Sequence, residues 1–293
     1  MQIVFGGDVM LDRGIRSIIE REGLTSLMDS ISPVFTEVDY GIVNLECPIG
    51  TEPTPLVKKY VFLGSPEVLP ELSEVGITHG IMANNHSYDH GRKAMTKTAE
   101  HLIHSGITTV GYGSNQGDAC APTILKKGHI EVALFSSVIL GLEAWMYLEN
   151  EPGMCQATIN DIENSVKQFK ASNANSLVIV SLHWGIEYHH NPTSIQRRQA
   201  RALIKAGADA IIGHHPHVAQ SIEYIEGKPV FYSLGNLIFD NKNPVTHDGI
   251  LVKLDIDEAL QLKASIIPYQ TDNCKPLIMR GKQKADFISQ LYK

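Results

Sequence analysis

The sequence predicts an α/β fold in which a mixed-sheet sandwich is flanked by helices. Two patterns carry that reading. Short apolar runs alternate with stretches of helical spacing early in the chain, and a later region turns β-rich. With 293 residues and 43% hydrophobic content, the chain can bury a substantial core. No linker divides it, so one domain over 1–293 is expected, with its motifs in 1–255 and a late β-rich segment over 256–293. Internal repeats and low-complexity segments are not evident.

Residues 2–5 read as the first strand, and 15–29 carry apolar residues at helical spacing, interrupted by Gly23. A second strand-like run covers 40–43. A Gly-Ser-Pro start signal precedes a helix over 66–75, followed by an apolar run at 80–82. The helix expected over 92–105 stops at Gly106, ahead of strand-like 108–110. Further on, a helix over 159–172 leads to a strand at 176–182. A helix over 195–206 stops at Gly207 before the apolar run 208–212. Strands are expected at 230–234, 249–254 and 262–267, the last two alternating as antiparallel strands do.

Composition narrows the function classes. The net charge is −7 and no basic cluster occurs, so nucleic acid is not an expected partner. There is no run of eighteen apolar residues and no basic, then hydrophobic leader, which predicts a soluble, cytoplasmic protein; a trimmed extracellular domain is the alternative. Cys47, Cys120, Cys155 and Cys274 show no C-x-x-C spacing and are expected as free thiols in a reducing compartment, with Cys47 packing beside Glu46.

The chemistry gathers where the strand-like runs end. Gly213-His214-His215-Pro216-His217 follows the run 208–212, and alternate side chains there can aim His215 and His217 at one point. Other runs end in Asp8, in Glu46, in Asn85-His86 and in His183. Ligand crevices of open α/β sheets lie outside the carboxyl ends of strands, so these residues are expected to converge. Mixed carboxylate, amide and imidazole donors suit Mn, Fe or Zn better than Mg or Ca.

The segments GDVML, NLECPIG, ANNHSYDHG, SLHWGIEY, AGADAIIGHHPHVAQ and GKPVFYSLGNLIFD run in this order from residue 7 to residue 240. Together they resemble the CapA/PgsA family of bacterial capsule and poly-γ-glutamate proteins, which in turn resembles the calcineurin-like metallophosphoesterases. The resemblance implies a four-layer α/β/β/α sandwich with two divalent metal ions. It implies Asp8, Glu46, Asn85, His183, His215 and His217 as metal ligands, Glu46 standing where a bridging aspartate is usual, and a substrate-facing role for His86. The role of His214 stays open. One departure matters: the first motif of those enzymes reads D-x-H, and here Met10 replaces the histidine. The first metal site is then weak, empty, or completed by Asp12, His189, His190 or water.

The resemblance implies a metal-activated water as nucleophile, with His86, if protonated and held by Asp89, assisting the leaving group. Asp89 could instead cap the helix starting near Arg92. Around the rim, Asn236 in the turn Ser233-Leu234-Gly235-Asn236, Trp184 and Glu187 are candidate substrate contacts, with Tyr188 beside them. For Trp184 the other reading is core, where a bulky aromatic after a strand end more often lies. Arg13, Arg16, Lys58 and Lys59 are candidate anion contacts. The expected substrate is a small molecule, a peptide or an anionic polymer. Three functions remain: hydrolysis of a phosphoester or of a γ-glutamyl or peptide-type amide; a non-hydrolytic accessory role in polymer or capsule assembly; and peptide epimerisation.

Overall fold

A computed structural model of the chain describes residues 1–144, 148–240 and 242–292. One sheet runs β16 (Lys275–Ile278), β15 (Leu262–Asp272), β14 (Asp248–Ile256), β1 (Gln2–Val9), β2 (Tyr40–Leu45), β3 (His79–Ile81) and β4 (Thr108–Val110), with β13 (Asn236–Ile238) also pairing β1. The second runs β11 (Ile222–Ile225), β12 (Lys228–Phe231), β10 (Ala210–His214), β9 (Leu177–His183), β7 (Ile130–Val138) and β6 (Thr123–Lys127). A small antiparallel pair joins β5 (Tyr112–Gly113) to β8 (Gly153–Met154). The neighbours from β1 to β4 are parallel, as are β7, β9, β10 and β12, whereas β14 to β16 are antiparallel.

Strand alternation divides the apolar residues into three layers. Ile3, Phe5, Ile42 and Ile81 of the first sheet meet Val132, Leu134, Ile179 and Ile212 of the second. On the first sheet's other face, Val4, Val43 and Leu45 pack under α1 (Arg13–Glu22), α2 (Leu24–Leu27), α3 (Ser32–Thr36), α4 (Leu69–Glu74) and α5 (Gly91–His104) through Ile15, Leu24, Phe35, Leu69 and Met95. On the second sheet's other face, Ala133, Val178 and Ile211 pack under α7 (Ile159–Ser172) and α8 (Ser194–Ala206) through Ile162, Val166 and Leu203. The result is an α/β/β/α sandwich. Both α7 and α8 start with a capping box, Thr158 with Asp161 and Thr193 with Gln196, each cap contributing about 1 kcal/mol.

Several elements depart from the sequence reading. Gly23, at φ +78°, separates α1 from α2, since an L residue resists that conformation. The helix expected over 66–75 is a 3-10 turn, Pro66–Val68, followed by α4. The run 230–234 leaves the second sheet after Phe231, crosses through Gly235 and joins the first sheet as β13. Central strand β7 was not anticipated: both of its faces are apolar, and no ligand-like residue marks its end. The segment 256–293 contains α9 (Gly281–Leu291) besides β15 and β16.

The cysteine expectation is corrected. Cys120, at the end of α6 (Gln116–Cys120), forms a disulfide with Cys155, while Cys47 and Cys274 are free. Pairing of β5 with β8 brings these partners together across 35 residues, a proximity that spacing along the chain does not reveal. Among the described residues, no helix is long and apolar enough to cross a membrane.

Candidate metal centre

Close backbone approach builds the floor of the site. A Cβ on Gly7 would lie 1.9 Å from the Gly235 carbonyl oxygen, and the Asp8 amide donates to that oxygen at 3.0 Å. Glycine at both positions lets β13 press against β1, which sets Asn236 opposite Asp8, while Asn44 of β2 faces Asp8 from the other side. At the end of β10 the chain turns sharply, with His215 at φ +97° and His217 at φ +59°. Such strain costs about 1–3 kcal/mol per residue and is concentrated where function requires it.

Two sets of buried side chains meet there and share a carboxylate: Glu46 with His183 and His215, and Asp8 with Glu46 and His217. In each set, one donor atom per residue lies within 4.8 Å of the others. Glu46 Oε1 is 3.8 Å from His183 Nε2 and 3.8 Å from His217 Nε2, and it has no hydrogen-bond partner. His215 Nδ1 is likewise buried and unpartnered. Asn85 Oδ1 approaches His183 Nε2 at 2.8 Å, bringing the amide to the same cluster.

The electrostatics of the cluster explain why it suits a cation. Burial, and then the charge of Asp8, push the Glu46 carboxyl well above its usual range. Burial would raise Asp8 too, but the imidazoles of His214 and His217 hold it well below the usual range. Burial and the neighbouring His215 hold His183 well down, and burial with His217 takes His215 to about 3. Burial opposes protonation of His217, yet Glu46 and Asp8 outweigh it and raise the imidazole to about 9. Two buried carboxyl groups, the imidazoles of His183 and His215 held neutral, and His217, whose proton a bound cation would replace, fit divalent ions, with donor atoms left unpaired inside the protein. The residues able to hold them are Asp8, Glu46, Asn85, His183, His215 and His217.

The other residues singled out from sequence take varied places. His86 Nδ1 lies 2.8 Å from Asp89 Oδ2, and its ring packs against Phe62 with centroids 4.3 Å apart and planes tilted by 36°. Burial lowers the His86 pKa despite Asp89, so the ring is neutral near pH 7 rather than protonated. Asp89 does not cap α5, whose N-cap is His90; it also receives the Phe62 amide at 2.8 Å and the Lys58 ammonium. Lys58 is thereby committed to Asp89 and to the Asn85 carbonyl at 2.7 Å, and Arg16 to Asp12 and the Leu63 carbonyl. Lys59 lies over the Tyr60 ring, 5.0 Å from its centroid.

Met10 is fully buried in the outer core, its sulfur accepting the Asp12 amide at 3.1 Å. Asp12 receives the Leu63 amide, and His189 and His190 are exposed, so none of the three joins the cluster. Burial pushes the Cys47 thiol up to about 12, as expected of a packing residue.

A cavity of about 310 Å³ opens onto the cluster, lined by His86, His217, Phe62, Phe239, Tyr60, Tyr188, Arg13, Lys242, Glu187 and Asp240. Glu187 therefore stands at the mouth. Trp184 is corrected to core: it is 1% exposed, stacks on Tyr232 and donates to the Tyr232 carbonyl, so it forms no wall of this cavity. Asn236 is also buried, and its Oδ1 lies 2.8 Å from His217 Nδ1. Sequence reasoning missed Asn44. Its Nδ2 donates to Asp8 Oδ1 at 2.8 Å and lies 3.3 Å from His183 Nδ1 and 3.4 Å from Glu46 Oε2. The one available signal was a polar residue two positions before Glu46 in a buried strand, hence on the same face.

Comparison with known proteins places this geometry in context. Residues 2–241 match the family model described as bacterial capsule synthesis protein PGA_cap. The PGA biosynthesis protein CapA of Bacillus subtilis (strain 168) is 29% identical over 276 residues, covering 93% of this chain and 72% of that protein. A probable polyglutamine synthesis accessory protein of Mycobacterium tuberculosis is 25% identical over 296 residues, covering 86% of this chain and 78% of its own length. Among solved structures, a putative 5'-nucleotidase from Staphylococcus aureus superposes with a TM-score of 0.58 at 14% identity, over 99% of this chain and 58% of that one. The last likeness is one of fold.

Proposed function

The chain belongs to the bacterial capsule synthesis protein PGA_cap family, and on that premise we propose that it is a metal-dependent hydrolase of capsule or poly-γ-glutamate metabolism. Its substrate is a phosphoester or a γ-glutamyl or peptide-type amide. The observation that carries this reading is the shared, buried Glu46, whose unpartnered Oε1 lies between His183 and His217. Asp8, Glu46 and His217 would hold one divalent ion, and Glu46, Asn85, His183 and His215 a second, with Mn, Fe or Zn suited to these donors. Bound there, such ions polarise the electrophile and acidify a water molecule.

The chain's own groups do the rest. His86 Nδ1–H donates a hydrogen bond to Asp89, which leaves Nε2 as an acceptor at the cavity wall. His86 can then accept a proton from the attacking water and return it to the leaving group. Asn236 Oδ1 accepts a hydrogen bond from His217 Nδ1–H and thereby turns Nε2 toward Glu46. Phe62, Tyr60, Tyr188 and Phe239 narrow the access of bulk water.

A second reading has its own support: the mycobacterial relative is named an accessory protein of polyglutamine synthesis, so the cluster could serve polymer binding without hydrolysis. The Cys120–Cys155 disulfide favours an oxidising compartment over the cytoplasm. The deciding experiment is elemental analysis of chelator-free protein, with a screen across phosphoesters and γ-glutamyl amides. Bound metal with chelator-sensitive turnover supports the hydrolase. Bound metal with polymer binding and no turnover supports the accessory role, and no metal after reconstitution overturns both metal-based readings.

A further inference from the structure

His214 ends β10, and its register partner on β9 is His183. Ala210 and Ile212, of the same strand parity, face the core between the sheets, so alternation sends the His214 ring into that space as well. The pattern of the strand would put an apolar side chain there. Instead an imidazole is buried to 1% exposure with no hydrogen-bond partner on either ring nitrogen. Its Nδ1 lies 3.3 Å from Asp8 Oδ1, the oxygen that also accepts from Asn44. The other oxygen, Oδ2, faces His217 Nδ1 at 3.3 Å and the His215 amide at 3.4 Å. The two carboxylate oxygens are thus divided, Oδ1 toward Asn44 and His214, and Oδ2 toward the cluster.

We propose that His214 is a positioning residue for the Asp8 side of the centre, holding Asp8 Oδ1 so that Oδ2 stays turned toward the Asp8–Glu46–His217 donor set. This rests on the metal-binding reading above. Met10 packs away from the cluster, so that side depends on few donors and on a fixed Asp8. Without His214, Oδ1 keeps only the Asn44 amide, the carboxylate is held less firmly, and the ion on that side weakens while the one held by Glu46, His183 and His215 persists.

The test is calorimetric titration of Mn²⁺ into chelator-stripped protein, with elemental analysis after dialysis, on wild type, His214→Asn, His214→Gln and His214→Leu. An asparagine amide reaches the position of Nδ1, whereas a glutamine amide reaches that of Nε2. Wild type and His214→Asn are expected to bind two ions with affinities within about threefold, and His214→Gln and His214→Leu to lose at least about tenfold on one ion only. Comparing Asn with Gln keeps the test valid if the leucine variant does not fold. Wild-type affinities for both ions in His214→Gln and His214→Leu would overturn the proposal while leaving the centre standing. Absence of Mn²⁺ binding by the wild type would overturn the centre and this inference together.

Discussion

His86 Nδ1 and Asp89 Oδ2 are 2.8 Å apart in a buried pair three residues apart in sequence. The pairing fixes the tautomer, because a carboxylate only accepts, and so presents Nε2 to the cavity as a hydrogen-bond acceptor. His86→Ala should keep its metal and lose about two to four powers of ten in turnover. Burial lowers the His86 pKa from 6.5, so the acidic limb of the rate profile is expected below pH 6.5, with the active neutral form dominant above it. A profile unchanged between wild type and His86→Ala would remove the residue from catalysis.

Glu46 should behave as a functional residue that destabilises the metal-free fold. Burial and Asp8 push its pKa up, so its ionised form is disfavoured in the folded chain, and the loss grows as pH rises from the ordinary carboxylate range up through the raised value. Glu46→Gln is therefore expected to raise the Tm of chelator-stripped protein at neutral pH while removing metal from both sides of the cluster, since Glu46 belongs to both donor sets. Thermal melts beside elemental analysis check the two effects. Full metal content in the variant would show that the shared-ligand assignment is wrong.

The residues of the cluster were legible because each ends a run with strand character, and parallel strands deliver such residues to one place. Asp8, Glu46, His183, His215 and His217 all carry that signature. Asn44 did not, since it lies inside its strand, and its place against Asp8 comes from the register of β1 with β2. Trp184 adjoins a candidate ligand in sequence but points to the opposite side of β9, into the layer under α8. Lys58 sits in an exposed-looking, Pro-containing stretch, and only folding brings its ammonium onto Asp89. The disulfide was hidden for the same reason: its proximity is made by β5 and β8, not by spacing.

The disulfide makes a direct prediction. Alkylation of the denatured, unreduced protein should label Cys47 and Cys274 only, with Cys120 and Cys155 labelled after reduction. Cys155→Ser should cost about 2–4 kcal/mol in denaturant unfolding, the usual range for a bridge closing a loop of this size. Four labelled thiols before reduction would return the chain to a reducing environment.

His79 offers a pH dependence far from any candidate ligand role. Burial lowers its pKa from 6.5 to about 4, and its Nδ1 has the Thr78 hydroxyl 2.8 Å away rather than a carboxylate. Between these values the unfolded chain binds the proton that the folded chain refuses. The associated stability is therefore fully present above about pH 6.5 and is lost as pH falls toward 4, by on the order of 3 kcal/mol. Burial pushes His86, His183 and His215 the same way, so the wild-type curve alone cannot isolate His79. The difference between urea-unfolding free energies of wild type and His79→Leu, measured from pH 7 to pH 4.5, can. It should shift steadily in favour of the variant as pH falls, and parallel curves would mean that His79 protonates within the folded protein at its ordinary pKa.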